Sequence, residues 1–261
     1  MKFILNADDF GISEDTVEKT ISLFKEGHLT SATIILSMPG TQKAINYALK
    51  NPNFSFGLHL NFHSDTFEKP ILDKKLVPSL INQEGFFNKG KVFRNNLFTG
   101  KINLDEIKKE ALAQVSYLKD FGINISHFDS HGHLHKYPQI SNKLSEIRNE
   151  VDIKKMRIVQ NIYLDKFIRK VIRPSFWLQS YYGNVIRNKF KTTKYFFNNL
   201  NYEDFSWPEK ICSMRKSDTI EIGTHPGINE RWRVNESINI TKLSNLINAN
   251  KFHSKINWKM I

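Results

Sequence analysis

An α/β fold, arranged as one (β/α) barrel-like domain with scope for distortion, is what this 261-residue chain predicts. Three observations lead there. Short apolar runs containing β-branched residues alternate with longer stretches of helical periodicity, the order that builds a parallel sheet with helices outside. No repeat and no Ser/Gly-rich linker divides the chain, so a single domain over residues 1–261 is expected. Clusters of carboxylates and histidines fall where the apolar runs end, and in β/α barrels the C-terminal strand ends form the active-site face.

Lys2 to Leu5 reads as a short buried strand running into Asn6-Ala7-Asp8-Asp9-Phe10-Gly11. Ser13 is placed to cap a helix with Val17, Ile21 and Phe24 on one face and Gly27 as its stop. Ala32 to Leu36 gives a second apolar run, Thr41 to Leu49 a helix, and Phe56 to Leu60 a third strand. Asn61 to Lys101 is long for a simple connection, so it is expected to be functional or locally folded. The clearest helix is Leu104 to Phe121, apolar at Ile107, Ala111, Val115 and Leu118 and closed by Gly122. His127 to Ser130 begins another strand-to-loop transition, followed by a helix over Tyr137 to Ile147 and a strand over Met156 to Val159. Thr219 to Gly223 is a late strand and Ile238 to Ile247 the last helix.

Composition narrows the function classes. A hydrophobic content of 40% supports a sizeable core, while no run approaches the roughly 20 apolar residues that span a bilayer. The first apolar run breaks at Asn6 and Asp8, unlike a secretory leader. The single cysteine, Cys212, excludes a disulfide framework and a Cys-based zinc site, and a reducing cytoplasm is the expected location. Net charge is +12, with eight basic and no acidic residues from Lys166 to Lys194. That stretch is expected as a basic insertion near residues 165–195. It suits an anionic partner or is simply a solvated surface. Its Phe176, Trp177, Tyr181 and Tyr182 suit ring stacking, a lipid interface, or packing under a cover over the substrate.

Asp8 and Asp9 would repel if buried without a counter-charge; a divalent cation removes that problem for one and orients the other. His59, between Leu58 and Leu60, points away from both by strand alternation. In Asp129-Ser130-His131-Gly132-His133-Leu134-His135, four potential ligands occupy seven residues and would share one face of an extended chain. Imidazole and carboxylate suit zinc, iron, nickel or manganese better than magnesium. His225, followed by Pro226 and Gly227, suits a positioned proton donor.

Three segments carry a family resemblance: Asn6-Ala7-Asp8-Asp9-Phe10-Gly11, Gly57-Leu58-His59-Leu60 and Asp129 to His135. In that order they resemble the signatures of the YdjC-like carbohydrate deacetylases. Lys69-Pro70-Ile71, Pro78-Ser79-Leu80, Gly85-Phe86-Phe87, His225-Pro226-Gly227, Arg233 and Glu236 extend the similarity along nearly the whole chain. The resemblance implies a barrel-like deacetylase domain holding a divalent metal, magnesium or zinc, through Asp9, His59 and His131. It implies Asp8 as general base and His225 as the acid that protonates the departing amine. Asn6, Asp129, His133, His135 and Arg233 are the candidate substrate-binding residues. The chain departs from the family pattern at Gly132, where many relatives have another histidine. The expected partner is an N-acetylated carbohydrate, and the basic stretch admits an anionic or lipid-linked one. Nucleic acid is not expected, and a peripheral membrane contact and a homodimer remain open. The rival readings are a metal-dependent phosphoesterase, an iron(II) oxygenase, and a non-catalytic glycan- or anion-binding protein.

Overall fold

The computed structural model describes residues 1–164, 176–214 and 218–261. At its centre is β1 (Lys2–Phe10), buried along all but its first residue, as a strand flanked on both sides in a parallel sheet must be. It pairs with β2 (Ser31–Ile34), with β6 (Thr219–Thr224) and, at its start, with the two-residue β7 (Ser254–Lys255). The path continues through β3 (Ser55–Leu60) to β4 (Phe128–Ser130) on one side and to β5 (Tyr195–Asn198) on the other, every pairing parallel.

The connections carry the helices α1 (Glu14–Lys25), α2 (Thr41–Lys50), α3 (Gly90–Phe98), α4 (Leu104–Asp120), α5 (Pro138–Ile147), α6 (Phe176–Arg187), α7 (Trp207–Cys212) and α8 (Arg231–Ala249). α1 starts where the Ser13 N–H donates to Thr16 Oγ1 at 3.2 Å, and α4 where the Asp105 N–H donates to Asn103 Oδ1 at 3.0 Å. One apolar core fills the space between helices and sheet, and a small cluster of Ile4, Ile256 and Trp258 lies apart from it.

The sheet curls towards a barrel. Met156, expected to open a strand over Met156 to Val159, and Lys155 before it join their neighbours only by isolated pairings, Met156 to Phe128 and Lys155 to Lys191. A further bond, Asn161 N–H to Phe196 O at 3.3 Å, links the same segment to β5. This thin seam is where the expected distortion resides. β5 and α7 carry no strong periodic signal and were not expected from the sequence, and α8 begins well before Ile238. Residues 165–175 of the expected basic insertion lie outside the described residues. The rest of that stretch includes α6, whose Tyr182 rests edge-on against Tyr137 at 6.1 Å while Trp177 and Tyr181 are exposed.

The long connection after β3 is locally folded, and buried polar side chains of α4 pin it. Glu106 accepts the Ser79 N–H at 2.7 Å, and Glu110 accepts those of Ile71 and Leu72 at 2.9 and 3.1 Å. Gln114 bonds both ways with the Asn61 backbone. These residues recur every four positions, so one helix face holds the loop that carries His63 and Asp65. Among the described residues no helix is long and apolar enough to cross a membrane.

At Gly57 in β3 a Cβ would lie 2.5 Å from His127 Cε1 and 2.8 Å from its carbonyl oxygen. His127 in turn stacks on Trp258 at 4.3 Å. Gly57→Ala should therefore lower unfolding stability by about 1–3 kcal/mol, the usual consequence of overpacking. A urea midpoint unchanged from the parent would show that this contact is slack.

Candidate metal centre

Adjacent residues in a strand point to opposite faces, so Asp8 and Asp9 should diverge. They do not, because the pairing register of β1 shifts between Ala7 and Phe10 and Asp9 takes a left-handed φ of 57°. Asp tolerates that conformation better than most residues, and the bulge turns its carboxylate towards the mouth of the barrel. There Asp9 Oδ1 lies 3.3 Å from His59 Nε2 at the end of β3 and 3.1 Å from His131 Nδ1 just after β4. One ligand atom from each of the three lies within 4.8 Å of the others.

This donor set fits a divalent cation. One carboxylate oxygen and two imidazole nitrogens converge from three strand ends, a set suited to zinc and its first-row neighbours. His59 Nδ1 lies 2.8 Å from Asp129 Oδ1, the outer carboxylate that commonly orients a metal-bound imidazole. Burial alone would lower both imidazole pKa values, but the carboxylates override it. Asp129 and Asp9 raise His59 to about 10, and Asp9 and Asp65 raise His131 to about 9. A cation bound there would have to displace those ring protons.

Asp8 belongs to a different arrangement, centred on a residue that sequence reasoning missed. Arg157 is fully buried and reaches Asp8 Oδ2 and Oδ1 at 2.5 and 2.6 Å, Asp129 Oδ2 at 2.8 Å and Glu221 Oε1 at 2.8 Å. Its guanidinium lies 4.6 Å over the Phe196 ring. Burial would raise Asp8, yet Arg157 holds its carboxyl well below the ordinary range. Glu221 is less well paired; burial pushes it up to about 7. Asp8, His59 and Asp129 also meet the spacing of a cation site, but the guanidinium already supplies the positive charge between the two carboxylates. The signals were a lone Arg between Met156 and Ile158 and a lone Glu between Ile220 and Ile222. Each is a charge inside an apolar run.

The remaining predicted residues separate. Asp129 to His135 is not extended: Gly132 and His133 both adopt left-handed φ, 59° and 54°, inside a 3-10 turn. The shared face expected for Asp129, His131, His133 and His135 is therefore corrected. Only His131 meets Asp9; His133 faces the Phe196 ring at 5.7 Å, and His135 turns back to Ser130 Oγ at 2.8 Å. Burial, aided by Arg157, lowers His133 to about 3, so it is neutral. Asn6 is buried and donates to Asp8 Oδ1 at 2.8 Å, and Arg233 donates to Asp9 Oδ2 at 3.0 Å. Arg233 Nη1 is buried with no hydrogen-bond partner among the described residues. His225, on the turn after β6, has Nε2 3.9 Å from Asp8 Oδ2 and Nδ1 3.0 Å from Glu236 Oε2. Burial would lower His225, but Glu236 and the two aspartates raise it.

The chain belongs to the YdjC-like family: the family described as YdjC-like protein matches residues 2–254. Over 148 residues it is 34% identical to a carbohydrate deacetylase of Listeria monocytogenes serotype 4a (strain HCC23), covering 56% of this chain and 58% of that protein. Over 153 residues it is 30% identical to a carbohydrate deacetylase of Vibrio cholerae serotype O1 (strain M66-2), covering 59% and 57%. The match thus spans a little over half the length of these relatives. A crystal structure from Enterococcus faecalis V583, provisionally described as a cellobiose-phosphate cleavage protein, superposes with a TM-score of 0.77 at 21% identity. It covers 99% of this chain and 98% of its own, and it shares the fold.

Arg157→Met should cost about 3–5 kcal/mol of unfolding stability, because it strands buried carboxylates without a counter-charge. Urea denaturation at neutral pH measures this, and a loss below about 1 kcal/mol would mean that the buried acids do not depend on Arg157 as their counter-charge.

Proposed function

We propose that this protein is a metal-dependent carbohydrate N-deacetylase that hydrolyses the acetamide of an N-acetylated amino sugar and releases acetate. The observation that carries the reading is the meeting of Asp9, His59 and His131 at the strand ends, with Asp8 and His225 beside them. The names of the relatives, each matched over a little more than half of its length, support the same substrate class.

In this reading Asp9, His59 and His131 hold one divalent cation, magnesium or zinc. When bound, such an ion polarises a carbonyl oxygen and lowers the pKa of water towards about 7. Asp8 takes the proton of the attacking water. Arg157 and Asn6 hold that carboxylate ionised and in one orientation, at the expense of basicity, so the proton it accepts is passed on rather than kept. His225 is its recipient or, already protonated, the donor to the amine nitrogen, without which the amide's leaving group departs poorly. Glu236 fixes the His225 ring through Nδ1 and leaves Nε2 facing the reaction side. Arg233 Nη1, a buried donor without a partner among the described residues, is suited to a substrate oxygen. His133, neutral beside Phe196, and His135 line a cavity at the site, and Asp129 stands between Arg157 and His59.

Asp8→Asn should keep the bound metal and lower acetate release by about 10²–10⁴-fold, the usual scale of one general acid–base contribution. Metal content and rate on an N-acetylated amino sugar panel, with and without chelator, are the paired measurements. Unimpaired turnover would remove Asp8 from the reaction, and no acetate from any member of the panel would remove the reading itself. The rate profile should be bell-shaped with pH. Glu236 raises His225, so Glu236→Gln should move the alkaline limb to lower pH and leave the acid limb in place. An alkaline limb that stays where it was would exclude His225 as the acid.

A further inference from the structure

Next to the triad lie two donors, His63 and Asp65, that the proposed reaction leaves unused. His63 is 3% exposed, yet neither of its ring nitrogens has a hydrogen-bond partner among the described residues. A buried imidazole with both nitrogens unsatisfied is costly and points to a missing ion or ligand. Its Nδ1 stands 3.6 Å from Asp65 Oδ1, and Asp65 Oδ2 stands 2.7 Å from His131 Nε2. One ligand atom from each of these three residues lies within 4.8 Å of the others. The His63 and His131 rings stack at 4.8 Å.

The backbone makes room for His63. A Cβ at Gly132 would meet His63 Nε2 at 2.6 Å and Arg94 Nη2 at 3.0 Å, and one at Gly90 would meet His63 Nδ1 at 3.3 Å. A side chain at 132 and the His63 ring compete for one space, and here the ring has it.

We propose that His63, Asp65 and His131 form a second divalent-cation site, joined through His131 to the Asp9, His59 and His131 triad. The inference rests on the triad reading, because His131 presents Nδ1 to Asp9 and Nε2 to Asp65. Two imidazole nitrogens and one carboxylate oxygen suit zinc, copper or nickel and disfavour magnesium, which prefers an all-oxygen shell. An imidazole that ligates through both nitrogens is an imidazolate. Loading the second cation therefore releases to solvent the remaining ring proton of His131, and no oxidant or reductant is involved. Among the described residues beside the site, Arg94 and Lys89, whose Nζ donates to the Asp65 carbonyl at 2.7 Å, carry charges that oppose a cation; Asp9, Asp65 and the imidazolate offset them.

Zinc bound per chain is the test, measured by equilibrium dialysis of chelator-treated protein followed by metal analysis. The parent should bind two zinc ions, Asp65→Asn and His63→Ala one each, and His131→Ala none. The Asp65 side chain is 62% exposed, so Asp65→Asn removes a ligand without disturbing packing. One ion in the parent, or two in either single-site variant, would overturn the second site and leave the triad standing. No zinc in the parent would remove both.

Discussion

The structure depends on a buried balance of charge. Asp8, Asp129 and Glu221 enter the barrel interior from β1, β4 and β6, and a single guanidinium, Arg157, meets all three. A pair of unit charges about 4 Å apart is worth roughly 4 kcal/mol at an effective dielectric of 20, and withdrawing each ion from water costs several. Such an arrangement adds little net stability. Its value lies in position: with both oxygens of Asp8 held and Asp129 fixed between Arg157 and His59, neither carboxylate can swing away from the mouth. One arginine thereby orients the acid beside the triad and, through Asp129, an imidazole within it.

Backbone strain supplies what charge balance cannot. Strand periodicity would send Asp8 and Asp9 apart and would line up Asp129, His131, His133 and His135. The left-handed residue Asp9 reverses the first outcome, and the left-handed pair Gly132 and His133 reverses the second. Each such residue costs on the order of 1–3 kcal/mol away from glycine, and such strain gathers where a chain must aim side chains against its own periodicity. Here both departures bear on a single point: the carboxylate and the imidazole that share the 3.1 Å contact between Asp9 and His131.

The helices act on the site indirectly. α4 turns a polar stripe inward, Glu106, Glu110 and Gln114, and so holds in place a connection that would otherwise be an open loop over the mouth. α8 contributes Arg233 to Asp9 and Glu236 to His225. The family match across residues 2–254 includes these supports, whereas each alignment to a named relative covers little more than half of the chain. The basic stretch stands apart. Its first part is outside the described residues, and its helix α6 packs Tyr182 on Tyr137 while leaving Trp177 and Tyr181 exposed.

By itself the sequence determined the alternation of strands and helices, because hydrophobic period and turn residues are local properties. It also singled out Asp8, Asp9, His59, His131 and His225 as candidates, because each stands at the end of an apolar run, and the structure brings them together. It was silent on Arg157 and Glu221, since a single charge in an apolar run is ambiguous until its partner is known. It misread Asp129 to His135, because an extended chain was assumed where two left-handed residues make a turn. Only the tertiary structure decided which carboxylate faces the imidazoles, which is locked to arginine, and that His63 fills the space beside Gly132. Those are distances between residues far apart in the chain, and they are set by packing rather than by local periodicity.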